Sequence, residues 1–316
     1  MIAPGSRSFV FPLFVITTSG FWPLTRNSSF PYLCALIHKC MDELRPLLTT
    51  YAYNILGTLE EAKDIVQDAF LKFMDIDGSK IDDKRNYLIR TVINLSINAK
   101  KRQAKLVGEY PGPWLPEPVA TEKADAGIMQ KEVLSYSLMV LMEKLNVRQR
   151  AVFILKEAFD YEHEEIAEVL DISVENSRKL LSRAKEQLHK GTPVAHKPAE
   201  TDHIDKYLSA IQEGNTRQLE QLFHDEIVLL SDGGGKAIAA TRPLVGIKAV
   251  TSFLMGVYTK NYKDAHVEKG MVNHEPALFY YLDNVLVTCQ IFSIRDGRVE
   301  NFYFMRNPDK LKELQK

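Results

Sequence analysis

Apolar side chains recur every three to four positions through most of the chain up to residue 190, and this period is typical of amphipathic α-helices. The pattern predicts a first helical segment from Met41 to about Lys105 and a second from Ile128 to Lys190. Gly57 is expected to end the first helix. Thr58, with Glu61 three residues later, predicts a capping box at the start of the next helix.

The pattern changes after residue 200. One or two helices are followed by strand-like runs, which are separated by turns such as Asp283-Asn284 and Asp296-Gly297. The predicted strands are EIVLLS, KAIAATRPLVG, HVEKGMVN, PALFYYLD, VLVTCQIFSIRDG and RVENFYFMRN. Helices that precede a set of strands indicate a separate α+β domain.

The three glycines of SDGGGK resemble the end of a phosphate-binding loop because a lysine follows them. A Walker-type loop also needs a glycine five residues before the Gly-Lys pair and a hydroxyl residue after the lysine. Leu230 and Ala237 occupy those two positions, so a nucleotide site is excluded. The stretch instead predicts a hairpin turn that Asp232 initiates and in which glycines permit positive φ and close backbone approach.

Two segments without periodicity are predicted to be linkers. Residues 106–128 contain four prolines, in and around the stretch WLPEP, and these favour a semi-rigid extended backbone. Trp114 is large enough that we expect it to dock on another surface. Residues 191–199 form the second linker.

The first 40 residues are apolar, but polar residues, glycine and prolines interrupt them. We interpret them as a non-native or disordered extension, with a signal peptide as the alternative. The remaining segments, 41–105, 129–190 and 200–316, are the predicted folded domains.

Composition narrows the class of protein. The net charge is −1, so a DNA-binding surface must come from local clusters of cations and not from a basic surface overall. Cys34, Cys40 and Cys289 are too few and too scattered for a disulfide framework or a zinc site, which fits a reducing cytoplasm. We therefore expect a cytoplasmic protein without metal, cofactor or membrane attachment.

The segment HEEIAEVLDISVENSRKLLSRAKEQL fits a helix-turn-helix. Ala167 is small where the second helix crosses, Asp171 tolerates the left-handed turn, and Ser173 can cap the second helix. The outward side chains of that helix can contact phosphates and base edges in a major groove. They are Glu175, Asn176, Arg178, Lys179 and Arg183. The alternative is an ordinary pair of amphipathic helices with a solvated charged face.

A second basic patch lies on the helix that ends near Lys105. Its cations are interleaved with amides and an aromatic ring, a combination that suits unstacked single-stranded bases, although basic surface helices are common. Its members are Tyr87, Arg90, Asn94, Asn98, Lys101 and Arg102.

These patterns together resemble a bacterial RNA polymerase sigma factor of the extracytoplasmic-function (ECF) type. YNILGTLEEAKDIVQDAFLKF resembles its region 2.1–2.2, RNYLIRTVINLSINAKKR resembles region 2.3–2.4, and residues 137–188 resemble region 4. GPWLPEPV, SDGGGK and RNPDKL are similar to marks of a subgroup with a fused C-terminal SnoaL-like domain. The implied fold is multi-domain, with two all-α sigma domains and a C-terminal α+β curved sheet.

The resemblance implies partners and roles for individual residues. Asp64, Gln67 and Asp68 would dock on the clamp helices of core RNA polymerase, and region 4 on its flap. The basic patch ending at Lys105 would open the −10 element, with Tyr87 standing where many relatives carry tryptophan, and the helix-turn-helix would enter the −35 major groove. The implied interdomain regulatory residues are Trp114, Leu115, Pro116, Glu117, Pro118, Asp232, Gly233, Gly234, Gly235, Lys236, Asn307, Pro308 and Asp309.

The function of the C-terminal domain has several possible readings. Some SnoaL-like proteins are enzymes with an Asp or His as general acid or base, but the candidates here form no recognisable pair by spacing. These candidates are His224, Asp225, Asp232, His274 and Asp283. We expect no catalysis and instead regulation through the DGGGK turn, and a small-molecule ligand is a candidate partner of this domain. The alternatives are a ligand-sensing transcription factor and a SnoaL-like enzyme fused to a DNA-binding module.

Overall fold

The chain folds into two helical domains followed by a mixed sheet with its own helices. The structure is a computed structural model and describes residues 30–76, 81–106, 110–122, 127–189 and 202–315. The predicted N-terminal extension up to residue 29 and the linker at 191–199 lie outside the described residues. Residues Met41–Lys316 form one compact unit, and every contact reported below lies within it.

The described helices and strands run in chain order as follows. The helices are α1 Phe30–Leu56, α2 Leu59–Met74, α3 Lys84–Leu106, α4 Tyr136–Met142, α5 Val147–Glu157, α6 His163–Leu170, α7 Val174–His189, α8 Asp202–Gln212, α9 Thr216–Gln221, α10 Ile247–Val257 and α11 Pro308–Leu311. The strands are β1 Phe223–Asp232, β2 Leu244–Val245, β3 His266–Val272, β4 Glu275–Leu282, β5 Val285–Arg295 and β6 Arg298–Met305. None of the helices in the described ranges is long and apolar enough to cross a membrane.

Helices α1 to α3 form the N-terminal bundle, which buries Leu48, Val66 and Ile93 completely. α1 begins at Phe30, earlier than the predicted start near Met41. The reason is local: FPYLCALIHKC has its proline in the first turn, where proline is tolerated, and contains no glycine. α1 ends before Gly57, as predicted, where φ is +81°.

The capping box predicted at the start of α2 is wrong. Thr58 is the N-cap residue, but its side chain caps no backbone N–H and its hydroxyl instead donates to Glu61 at 3.1 Å. The N–H of Leu59 donates to the carboxylate of Glu117 at 2.6 Å. The linker therefore supplies the acceptor that the local sequence was expected to supply.

Helices α4 to α7 form the helix-turn-helix domain. Asn146 and Gln149 make a reciprocal capping box at the start of α5. Asp171 adopts the left-handed conformation with φ +52°, and Ser173 accepts a hydrogen bond from the N–H of Asn176 at 3.2 Å. The turn between α6 and α7 therefore has the backbone and the cap that the sequence predicts.

The C-terminal domain is built on one six-stranded sheet with the order β2-β1-β6-β5-β4-β3. β1 pairs with β6 in parallel, and the other neighbours are antiparallel. One face packs on α8 to α10 through residues such as Phe292 and Phe302. The opposite face buries Tyr303 and Met305 together with Leu115 of the linker and Tyr136 of α4.

Two parts of this domain differ from the prediction. KAIAATRPLVG was predicted to be a strand, but only Leu244 and Val245 pair with β1, and the residues before them form a loop. This two-residue partner pairs only with Val228 and Leu229 in the middle of β1, so the alternation in the sequence does not reflect a sheet face. Helix α10 was not predicted, although its valine, phenylalanine and leucine pack inward on β1.

The linker is buried rather than exposed. Residues 115–119 are all buried, and Ala120 makes an isolated antiparallel bridge with Val272. The extended backbone predicted from the prolines is present, but it lies between the N-terminal bundle, α4 and the second face of the sheet.

Candidate nucleic-acid interface

The outward face of α7 is open to solvent. Glu175, Arg178, Lys179 and Arg183 are exposed, and Asn176 is half-buried beside its capping bond. Arg178 lies 3.4 Å from Glu164 of α6, an exposed pair that water screens strongly. On the inner side Leu180, Leu181 and Leu188 are buried, so packing fixes the helix while its polar face remains free.

The basic patch on α3 is only partly open. Arg90, Asn98, Lys101 and Arg102 are exposed, and Tyr87 is half-buried with its ring 6.0 Å from the ring of Phe73. Asn94 donates from its amide to the carbonyl of Val169 in α6 at 3.3 Å. The helix-turn-helix domain therefore contacts the face of α3 that carries the predicted base-reading amides.

A cleft of about 170 Å³ marks this contact. Three members of the α3 patch line one side of it, and side chains of α5, α6 and α7 line the other. The lining residues are Asn94, Ile97, Asn98, Lys101, Arg148, Leu170, Ile172 and Leu180.

A buried ion triad joins the same two domains. Lys100 of α3 donates to both carboxylate oxygens of Glu143 at 3.0 and 2.9 Å, and Arg150 of α5 pairs with the same carboxylate. Lys100 also donates to the carbonyl of Leu56 at 2.9 Å, and Arg150 to the carbonyl of Asn54 at 3.0 and 3.2 Å. Because Arg150 is only 1% exposed, its charge depends on this carboxylate for compensation.

The triad shifts the pKa values of its members. Burial, and then the charge of Arg150, lowers the pKa of Lys100 to about 7, although Glu143 opposes the change. Burial alone would raise the pKa of Glu143, but the charges of Arg150 and Lys100 outweigh it and lower that pKa. Glu143 is therefore ionised at neutral pH.

Trp114 of the linker docks between the two cations that hold it. The ammonium of Lys100 lies 4.5 Å from its ring centre and that of Lys310 lies 4.2 Å away. A Cβ at Gly57 would stand 2.9 Å from the indole, so this position admits only glycine without displacement of the ring.

Asp232 is the centre of the contact between linker and C-terminal domain. Its carboxylate is 1% exposed and accepts hydrogen bonds from the Tyr110 hydroxyl at 2.6 Å, the Leu115 N–H at 3.0 Å and the Lys310 ammonium at 2.8 Å. Lys310 also donates to the Leu115 carbonyl at 2.6 Å. We call this cluster the Asp232 centre; it satisfies a buried carboxylate with one counter-ion and neutral donors.

The glycines after Asp232 allow the close approach that the sequence predicted for this turn, but the predicted hairpin is wrong, because β1 ends at Asp232 and β2 begins only at Leu244. Gly234 and Gly235 have φ of +59° and +70°, and added Cβ atoms would collide with Asn307 and Pro111, respectively. Lys236 pairs with Asp309 at 2.5 Å on the surface. Thus SDGGGK lies against the linker and against RNPDKL, whose Asn307 caps α11 just before Pro308.

The remaining linker residues of the predicted set are buried. Glu117 caps α2, as described above, and its N–H donates to the Gly57 carbonyl at 2.7 Å. Pro116 accepts a hydrogen bond at its carbonyl from the Tyr136 hydroxyl at 2.7 Å, and Pro118 is also buried.

The acidic face of α2 is exposed at Asp64, Gln67 and Asp68. A groove of about 320 Å³ separates its first turn from the segment after Met305, and its lining includes Asp64, Asp309 and Lys310. Lys63 approaches Glu313 at 3.4 Å across the same boundary.

Among the described residues, no hydrogen bond or ion pair joins any two acid–base candidates of the C-terminal domain. Asp225 and Asp283 are exposed, and His224 lies 3.4 Å from Arg295. Asp232 belongs to the Asp232 centre, and His274 contacts the carbonyl of Gln130 at 2.9 Å. Among the described residues no cluster of three His, Cys, Asp or Glu is placed to bind a metal.

The sequence did not reveal which residues join the domains. Those missed are the buried charged residues Lys100, Glu143, Arg150 and Lys310, and also Asn273 and Glu275, which bond to the linker and to α4, respectively. One signal was available: Lys100 and Arg150 fall at buried positions of otherwise apolar helix faces. Their partners are distant in sequence, so periodicity could not identify them.

Comparison with known proteins agrees with this architecture. Sigma-70 region 2 matches residues 40–106, and Sigma-70, region 4, matches residues 135–188. The chain is 30% identical over 291 residues to the ECF RNA polymerase sigma factor SigJ of Mycobacterium tuberculosis, which covers 85% of this chain and 91% of SigJ. The ECF RNA polymerase sigma factor SigW of Bacillus subtilis is 31% identical over 159 residues, 48% of this chain and 85% of SigW. The crystal structure of the M. tuberculosis SigJ superimposes with a TM-score of 0.73 at 28% identity and covers 87% of this chain and 98% of that structure.

Two sigma-type helical domains and a SnoaL-like curved sheet define a transcription initiation factor with a fused third domain. The chain belongs to the ECF sigma factors of RNA polymerase. It is an alternative sigma factor that directs core polymerase to promoter DNA, and its N-terminal bundle and helix-turn-helix domain are regions 2 and 4 of that family.

Proposed function

We propose that this sigma factor recognises the −10 element through the α3 patch and the −35 element through α7, while the C-terminal domain holds both helical domains in a closed arrangement. The observation that carries the proposal is the direct packing of α3 on α6, in which Asn94 donates to Val169. The described contacts place the two DNA-reading domains side by side.

Promoter geometry requires the domains to separate. The names of the two elements place them about 25 base pairs apart, which at about 3.4 Å per base pair is about 85 Å of duplex. Two domains joined by the Lys100–Glu143 pair cannot reach both elements at once. The closed arrangement must therefore open before a promoter is fully engaged.

Core polymerase supplies the surfaces for the open form. Asp64, Gln67 and Asp68 present an exposed acidic face for the clamp helices, and the helix-turn-helix domain would dock on the flap. The groove beside Asp64 brings the C-terminal domain close to the clamp-binding face, so polymerase docking and the closed arrangement compete for neighbouring surfaces.

The C-terminal domain acts as a regulator without catalysis in this proposal. No described hydrogen bond or ion pair joins two of its acid–base candidates, and Asp232 is neutralised by Lys310 within the Asp232 centre. Contact of SDGGGK with the linker couples this domain to both sigma domains, because the same linker segment caps α2 and bonds to α4.

Run-off transcription with core polymerase tests the proposal on the intact chain. Asp232→Asn removes the charge that compensates Lys310, and the loss of one partner of a buried pair costs about 3–5 kcal/mol. We expect more transcript than wild type at limiting sigma concentration, because the open arrangement becomes more populated. Asp225→Asn, the same substitution at an exposed position of the same strand, is the matched control.

Two results would count against the proposal. If Asp232→Asn and Asp225→Asn gave equal transcript, the Asp232 centre would have no regulatory role. If Asp232→Asn gave less transcript than wild type while remaining folded, the contact would be required for initiation rather than inhibitory.

A further inference from the structure

The connection between β3 and β4 is a two-residue turn made by Asn273 and His274. Both residues have positive φ, +46° and +63°, and Val272 pairs with Glu275 across the turn. This is the geometry of the tight hairpins that asparagine and glycine favour. We call Asn273, His274 and Glu275 the hairpin tip. Unlike the neighbouring turn at Asp283-Asn284, which is exposed, the tip is largely buried: Asn273 is 0% and Glu275 is 2% exposed.

The Asn273 side chain bonds to three different parts of the molecule. Its amide oxygen accepts from the N–H of Val119 in the linker at 3.0 Å. Its amide nitrogen donates to the Tyr53 hydroxyl of α1 at 2.9 Å and to the Leu134 carbonyl before α4 at 3.1 Å. Its backbone N–H donates to the Val119 carbonyl at 2.9 Å. One buried amide therefore joins the N-terminal bundle, the linker and the helix-turn-helix domain to the sheet.

The other two tip residues extend the contact toward the helix-turn-helix domain. The Glu275 carboxylate accepts from the Ser137 hydroxyl at 2.5 Å and from the Ser137 N–H at 3.2 Å. The His274 N–H donates to the Thr121 hydroxyl at 3.1 Å. Buried polar groups in such a network cost free energy if their partners leave, so the network favours one arrangement of the three segments.

The hairpin tip and the Asp232 centre hold different segments. The Asp232 centre bonds to Tyr110 and Leu115, in the first part of the linker. The hairpin tip bonds to Val119, to Thr121 and onward to Ser137 of α4. The segments they hold meet near Glu117, which caps α2.

We propose that the hairpin tip is a second latch, separate from the Asp232 centre, which positions the helix-turn-helix domain on the N-terminal bundle; this inference rests on the closed arrangement proposed above. Release of the tip frees the helix-turn-helix domain, while the Asp232 centre keeps the C-terminal domain on the first part of the linker. The C-terminal domain thus controls the two DNA-reading domains through two contacts that can open one after the other.

The test is a pair of matched glycine substitutions. Asn273→Gly preserves the turn, because glycine favours positive φ, and removes only the side-chain bonds. Asn284→Gly makes the same change at φ +63° in the exposed β4–β5 turn. Two distances are measured between spin labels that replace exposed residues. Lys72 of α2 and Glu186 of α7 report on the N-terminal bundle and the helix-turn-helix domain, and Lys72 and Lys260 report on the N-terminal bundle and the C-terminal domain. Cys34 and Cys40 are changed to serine, and Cys289 remains because it is fully buried.

The expected result is a longer Lys72–Glu186 distance population in Asn273→Gly, with the Lys72–Lys260 distribution equal to that of Asn284→Gly. Identical Lys72–Glu186 distributions in the two variants would overturn the latch. Lengthening of both distances would overturn its separation from the Asp232 centre. Circular dichroism shows whether Asn273→Gly folds. If it does not, Ser137→Ala removes the hydrogen bond from the Ser137 hydroxyl to Glu275, and exposed Ser182→Ala is its control. The same distance outcomes then support or overturn the latch.

Discussion

The two helices that we propose to read DNA differ in how much of their polar face the protein leaves open. α7 presents Arg178, Lys179 and Arg183 to solvent, whereas α3 has Asn94 bonded to α6 and Lys100 buried in the ion triad. The same contact between domains partly covers the α3 patch and leaves the polar face of α7 open. The two surfaces are therefore not equally accessible in the closed arrangement.

An order of events follows from this asymmetry. Phosphate contacts give rapid, salt-dependent association without sequence information, and the exposed cations of α7 can make them in the closed arrangement. The base reading that we propose for α3 would require α6 to move away, which would open the cleft lined by Asn98 and Lys101. Three substitutions and one change of pH test this difference, and they follow in order of decreasing expected effect.

The largest effect is expected from Glu143→Gln. It leaves Arg150, a guanidinium that stays charged, buried without a counter-ion, and removal of one partner of a buried pair costs about 3–5 kcal/mol. The domains should separate, and backbone amides of α6 should exchange hydrogen faster than in wild type. Glu157→Gln breaks the exposed pair with Lys185 and should change exchange little. Equal exchange in the two variants would contradict the role of the triad.

A smaller effect is expected from Arg178→Ala. Loss of one good base-edge contact costs about 1–3 kcal/mol, so binding to a duplex that carries the −35 element should weaken by about 5- to 150-fold. Because α7 is already exposed, the loss should be the same in a Glu143→Gln background. Fluorescence anisotropy measures it, with exposed Arg217→Ala of α9 as the control. A much larger loss in the Glu143→Gln background would show that the closed arrangement covers α7 too.

A pH effect should act on α3 rather than on α7. The pKa of Lys100 is about 7 in the closed arrangement, lowered by burial and by Arg150 from its ordinary value of 10.5. Between these values the closed arrangement binds fewer protons than the open one, so rising pH favours closure, by at most about 1.4 kcal/mol per pH unit for one proton. The lowered pKa of Lys310 acts in the same direction.

The spin-label distance between Lys72 and Glu186 measures this dependence at pH 7.5 and 9.0. The shorter population should grow with pH in wild type and in Lys101→Met, whose lysine is exposed. Lys100→Met should reduce the dependence. If the distance population of Lys100→Met depended on pH as strongly as that of wild type, another titrating group would be responsible.

The smallest effect is expected from Asn94→Ala. It removes one partly buried hydrogen bond to Val169, which contributes about 0.5–1.5 kcal/mol. The open population should rise modestly in the same distance measurement, while Asn98→Ala, on an exposed side chain of the same helix, should leave it unchanged. A shift in Asn98→Ala as large as that in Asn94→Ala would contradict this role of the bond to α6.

Local chemistry explains which features the sequence predicted. The turn at Asp171 and the cap at Ser173 depend on neighbours within five residues, so the sequence signals them directly. The strand runs from His266 onward were also predicted, because each alternates or is continuously apolar between turn residues.

Long-range chemistry explains what the sequence did not predict. Glu117 caps α2 from 58 residues away, and Asn273 bonds to Tyr53 across 220 residues. SDGGGK could be recognised as a close-approach turn, but the linker atoms that approach it could not be identified by residue type. Glu143 looked like any acidic residue at a helix end.

The position of Lys310 in the chain has a consequence for how the protein is made. Lys310 follows Asp232 by 78 residues. At about 5–20 residues per second, the ribosome adds that stretch in roughly 4–16 s, after both helical domains have emerged. During this interval Asp232 has no counter-ion, so the nascent sigma domains fold before the Asp232 centre can form. A newly synthesised chain therefore passes through a stage in which a core polymerase molecule nearby could capture it unrestrained.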